Sequence, residues 1–140
     1  MADPTVLGDL LDRVSLETTN LRRLAAMSQE ELHADPDRLY GVKHRFVVAI
    51  EAAIDASRHF ALTKHLRSAR DFADAFVVLG EANLLTEELV DRLKGMARFR
   101  NLLVHGYAVV DDTRVVEILK HDLGDFDEFR RQIAAAIDVR

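Results

Sequence analysis

The chain has no cysteine. That excludes disulfides, Cys-ligated zinc and iron–sulfur clusters, and with no sign of export it points to the cytoplasm. Two prolines and six glycines in 140 residues leave little to interrupt helical runs. No apolar run approaches the roughly eighteen residues that cross a bilayer, so no membrane partner is expected. Asp3 and Asp9 stand where a signal peptide would carry a basic region and an apolar stretch. A Gly-rich phosphate loop is missing, since Leu79-Gly80-Glu81 holds a single glycine. There is no Gly-x-Ser-x-Gly elbow and no His-Glu-x-x-His either, which disfavours P-loop NTPases, α/β-hydrolases and zinc proteases. Positive charge is in deficit, with 19 Lys and Arg against 24 Asp and Glu and a formal net charge of −5. That balance argues against a general nucleic-acid binder, which needs a broad basic face. Local sign differs: Arg92, Lys94, Arg98 and Arg100 follow one another with no acid between Arg92 and Arg100.

Hydrophobic residues make up 49% and charged residues 31%, an ordinary soluble composition and enough for a core in one domain spanning residues 1–140. The apolar spacing is helical. Asp3-Pro4 opens a first helix that runs through Val6, Leu10, Val14 and Leu21 to about Met27. Ser28 to Asp35 is polar. Asp35-Pro36-Asp37 opens a second helix to about Ala61, followed by a loop from Thr63 to Arg70. A short apolar helix covers Asp71 to Gly80. Thr86 is an N-cap, Glu87 and Glu88 suit the positive end of the dipole, and the long helix that follows ends near Val104, with Gly106 as its stop. Ala108 to Asp112 is a connection, and helices follow over Thr113 to about Leu123 and Asp125 to Val139. The expectation is an all-α bundle of about five to six helices, without internal repeat or linker.

Two constellations carry chemistry. The first is Arg98-Phe99-Arg100-Asn101-Leu102-Leu103-Val104-His105-Gly106-Tyr107. Arg100 and Tyr107 share a helical face, whereas Arg100 and His105 lie about 140° apart in a straight helix. A helix that stops near Val104 frees His105 to swing back. A histidine can then take a proton from a ribose 2′-OH or give one to a leaving 5′-oxygen, and an arginine fork can hold the phosphate and offset developing charge. The plain alternative is that His105 caps a helix C-terminus and Arg100 snorkels. The second constellation is Glu51, Asp55 and His59, spaced four apart on one face. It reads as a metal site, a polar stripe at a site or subunit interface, or a solvated face; bundle metal sites draw on several helices and commonly use Glu-x-x-His, a spacing these residues lack. His33, His44, His65 and His121 stand singly and read as surface residues.

Arg100, His105 and Tyr107 follow the R-x4-H-x-Y signature, and the chain resembles the HepT-like toxins among HEPN-domain proteins. The likeness extends through Ala49-Ile50-Glu51-Ala52-Ala53-Ile54-Asp55 with His59, Phe72 to Leu79, Leu84-Leu85, Glu87-Glu88-Leu89, Leu93-Lys94-Gly95-Met96 and the closing helix, over roughly residues 35 to 137. The resemblance implies a HEPN-type helical bundle, usually homodimeric, with the signature in a cleft at or near the dimer interface. It implies the toxin half of a toxin–antitoxin pair: a metal-independent RNA endonuclease, needing no cofactor and silenced when an MntA-like nucleotidyltransferase antitoxin transfers AMP to the signature tyrosine. Carried onto this chain, Arg100 would hold phosphate, His105 would be the acid/base, and Tyr107 would accept AMP. Asn101 matches the polar residue often found after the arginine, and Glu51 and Asp55 would line the groove. The alternative from another class is a non-catalytic HEPN nucleotide-binding or interaction module that partners a minimal nucleotidyltransferase.

Overall fold

The computed structural model describes residues 4–106 and 110–138. Among them are seven helices and no strand: α1 (Pro4–Ala25), α2 (Gln29–Ala34), α3 (Pro36–Thr63), α4 (Phe72–Glu81), α5 (Glu87–His105), α6 (Asp112–His121) and α7 (Gly124–Asp138). The all-α expectation holds, and the count exceeds five to six by the short α2. That helix lies inside the stretch read as merely polar. Ser28 accepts from the Glu31 N–H while Glu31 reaches back to the Ser28 N–H, a reciprocal capping box. Leu32, the one apolar side chain of consequence there, is fully buried and pins the turn to the core.

The other starts follow their caps. Asp35 accepts from the Asp37 and Arg38 N–H groups with Pro36 in the first turn, Asp71 accepts from Asp74, and Thr86 from Leu89. Helices α3 and α4 are each followed, two residues on, by a left-handed residue, His65 (φ 56°) and Asn83 (φ 60°). In each case the next residue donates back five positions, Leu66 to Ala61 and Leu84 to Leu79, both at 3.0 Å. These paired turns satisfy carbonyls that a helix end otherwise leaves open. The end of α1 is served differently: Lys120 of α6 donates to the Ala25 and Met27 carbonyls, a cation placed where the dipole favours it.

Helix α1 lies along α3, and α3 also packs on α4 and α5. Helix α7 closes against α1 and α5, and α6 against α1. Phe46, Phe76, Phe126 and Phe129 are fully buried. Phe46 meets Phe99 edge-on at 5.2 Å between centroids, and Phe76 meets Phe129 at 6.0 Å, geometries that add to plain burial. Ala49, Ala52, Ala53 and Ala56 are buried along α3, and their small side chains let neighbouring helices approach its backbone. Polar groups inside are paired: Ser57 donates to the Ala53 carbonyl at 2.9 Å, and Glu17 meets Arg45 at 3.0 Å. None of the described helices is long and apolar enough to cross a membrane.

Candidate active site

The sequence places Arg100 on α5 and Glu51 on α3, 49 residues apart, and the packing of α5 on α3 brings them together. Arg100 donates to one Glu51 oxygen, Oε2, from both Nη2 (2.6 Å) and Nε (2.9 Å). Nη1 donates to Asn101 Oδ1 at 3.2 Å. The guanidinium carbon sits 4.6 Å from the Phe72 ring centroid at the start of α4, within cation–π range. The Arg100 side chain is 12% exposed and that of Glu51 41%. Arg100 is therefore oriented from three sides, and its fork still has N–H bonds beyond the three those contacts use. This is not a snorkelling arginine with its head in bulk water.

His105 departs from the expectation. Helix α5 continues through His105 rather than stopping near Val104, and Gly106 ends it. The Gly106 N–H donates to the Leu102 carbonyl at 2.8 Å, and a Cβ at Gly106 would come within 3.1 Å of that same oxygen. The glycine serves close approach, since its φ of −118° lies in the ordinary range. His105 keeps its helical phase as a result, about 140° round from Arg100. No hydrogen bond joins it to Arg100 among the described residues. The helical hydrogen bonds run one residue past Val104, so the backbone does not free His105 to swing back toward Arg100. His105 and Leu102 are exposed, Leu102 at 53%. Tyr107 lies outside the described residues.

Asp55 is exposed one turn after Glu51. Partial desolvation pushes its carboxyl up from the ordinary range, Arg58 opposes this, and Glu51 adds to it. His59 is half-buried. Among the described residues no three His, Asp or Glu side chains converge as a metal would require, and Glu51 is turned to Arg100. His33, His44, His65 and His121 are all exposed, as read from the sequence. The basic run on α5 is divided by the helix: Arg92 pairs with Asp125 of α7 at 2.8 Å, Arg98 is exposed, and Arg100 faces α3. Two members of the cluster carry little signal in the sequence. Phe72 reads only as an apolar residue of a short helix. Arg58 follows Glu51 by seven, hence on its face, and that spacing was its only signal.

An all-α bundle with an oriented arginine and an exposed histidine in the last turns of one helix is a HEPN-type arrangement. Residues 15–133 match the family described as Ribonuclease HepT-like, and the chain belongs to that family. It is 37% identical over 79 residues to the mRNA nuclease HepT of Shewanella oneidensis, a match covering 56% of this chain and 59% of that one. The aligned part thus spans under two thirds of that relative. It is 23% identical over 133 residues to the tRNA nuclease HepT of Aphanizomenon flos-aquae, covering 94% and 89% of the two chains. Among solved structures, a tri-AMPylated Shewanella oneidensis HEPN toxin in complex with MNT antitoxin superposes with a TM-score of 0.87 at 26% identity, over 96% of this chain and 99% of that one.

Proposed function

We propose that residues 1–140 form a single HEPN domain acting as a metal-independent endoribonuclease, the toxin of a toxin–antitoxin pair with an MntA-like nucleotidyltransferase. The observation that carries this reading is Arg100: a largely desolvated guanidinium, fixed by Glu51, Asn101 and Phe72, with donors to spare. A charge held in place before substrate arrives needs no reorganisation to meet a phosphate. The family match and the nuclease relatives support the reaction class.

In this reading Arg100 binds the scissile phosphate of RNA. His105 takes the proton from the adjoining 2′-OH, whose oxygen attacks phosphorus. The bond to the 5′-oxygen breaks, and that oxygen leaves with a proton from an imidazolium, giving a 2′,3′-cyclic phosphate and a 5′-hydroxyl. Every atom is accounted for without a metal. Within one protomer Arg100 and His105 point apart, so the pair is completed in a homodimer. The exposed Leu102, three residues before the end of α5 and beside exposed Asn101 and His105, supports an interface on this face. AMP added to the Tyr107 hydroxyl by the antitoxin places a phosphate and a bulky adenosine where RNA must bind.

The Arg100–Glu51 pair also favours the second reading, a non-catalytic module, because the arginine already has a counter-charge. Cleavage of RNA by the purified protein in EDTA decides between them. Arg100→Ala and His105→Ala should each lose activity by a hundredfold or more on an order-of-magnitude basis; variants that cut as well as the parent would overturn the assignment. Intact mass after co-expression with the nucleotidyltransferase should rise in AMP-sized steps, and Tyr107→Phe should abolish the rise.

A further inference from the structure

We propose that Arg58 is a second phosphate-binding residue of this site, holding the RNA phosphate next to the one at Arg100, with Phe72 as the spacer that sets the distance between the two cations. This rests on the ribonuclease reading above and adds to it a residue that the signature does not contain.

The Phe72 ring is shared. Arg100 Cζ lies 4.6 Å from its centroid and Arg58 Cζ 5.1 Å. One ring thus attracts two guanidinium groups from different helices, α5 and α3, and keeps them within about 10 Å of each other. Successive phosphates of a single strand bridge such a gap, and tracking them with spaced cations is how single strands are held.

The charges around Arg58 distinguish it from its neighbours. The Arg100 guanidinium is offset by Glu51, that of Arg67 by Asp74 and Glu81, and that of Arg92 by Asp125. Among the described residues Arg58 has no acid within ion-pair distance; Asp55, one turn earlier, acts on it only through space. Arg58 is exposed, so its fork is available to an incoming anion at little desolvation cost. Arg58 also lines a pocket of about 280 Å³ together with Ala61, Leu62 and Leu66 among others. A purely structural arginine, lying on Phe72 to cover it, would leave RNA binding unchanged when removed. That difference makes the assignment testable.

Binding of a short fluorescein-labelled single-stranded RNA is measured by anisotropy at several salt concentrations, in a His105→Ala background that does not cut it. Replacing Arg58 by Ala should lower the slope of log affinity against log salt by about 0.7, the loss of one phosphate contact on a single strand. In the chain with His105 intact, Arg58→Ala should raise KM roughly tenfold with kcat within about twofold. Arg58→Lys should keep the salt slope and most of the affinity, since a point charge still binds phosphate. An unchanged KM and slope in Arg58→Ala, with a parent that cuts, overturns the proposal and leaves the ribonuclease reading standing. A loss in Arg58→Ala that Arg58→Lys does not restore, accompanied by a lower melting temperature, assigns Arg58 to packing and also overturns it. A parent that neither binds nor cuts RNA removes the ribonuclease reading and this one together.

Discussion

Glu51 should stabilise the fold and restrain RNA binding at the same time, so its removal should move two measurements in opposite directions. Its Oε2 accepts two N–H bonds from Arg100, whose side chain is only 12% exposed. Breaking a fully buried pair by deleting one partner costs about 3–5 kcal/mol, and an exposed pair is worth about 0–1. Glu51 itself is 41% exposed, so water reaches the pair and the cost falls between these limits, at about 1.5 kcal/mol for Glu51→Ala. For a domain of this size that corresponds to a melting temperature lower by roughly 6 °C. A double-mutant cycle with Arg100→Ala isolates the interaction, with an expected coupling of about 1 kcal/mol. Glu51→Gln keeps the shape and an acceptor but removes the charge. It should tighten binding of single-stranded RNA several-fold on an order-of-magnitude basis, because phosphate no longer competes with a carboxylate for Arg100. Effects additive within about 0.3–0.5 kcal/mol would show that the pair contributes nothing. Weaker RNA binding by Glu51→Gln would show that orienting Arg100 matters more than neutralising it.

Two further outcomes follow from packing and titration. A Cβ on Gly80 would lie 2.8 Å from Val90 Cγ2 across the α4–α5 contact; alanine there gains about 1 kcal/mol of helix propensity but overpacks by about 1–3. Gly80→Ala should therefore lose about 1 kcal/mol net in denaturant unfolding, and a higher midpoint would refute the close approach. Asp74 accepts from the Arg67 guanidinium and the Arg70 N–H, which hold its carboxyl well below the ordinary range. A depressed folded pKa means stability that is complete above about pH 4 and is lost as the pH falls through the folded value. Asp74→Asn should flatten the acid limb of the stability profile below about pH 4; an unchanged limb would place the acid sensitivity elsewhere.

Helix starts were legible because they are local. Asp35, Asp71 and Thr86 each act on N–H groups two or three residues ahead, and a short polar side chain before an apolar run records that in the sequence. Helix α2 carried the same kind of signal in Ser28 and Glu31, but six residues offer too little apolar periodicity to be noticed. Ends were less legible: α3 and α4 are each followed, two residues on, by His65 and Asn83 in left-handed geometry, where no glycine marks the turn. Gly106 caps α5 as its place in the sequence indicates, and the one further residue, His105, stays in helical phase, where each step turns a side chain by about 100°.

The site divides along the same line. By itself the sequence determined the all-α class and the arginine and histidine of the signature, since periodicity, caps and a five-residue spacing are properties of neighbours along the chain. It also put Glu51, Asp55 and His59 on one side of a helix, without saying what they face. Only the tertiary structure decided that Glu51 answers Arg100 and that Phe72 lies against both Arg58 and Arg100. Those contacts join three helices, and which faces meet is settled by how the buried phenylalanines and the alanine stripe of α3 pack, a many-body choice that no short stretch of sequence records.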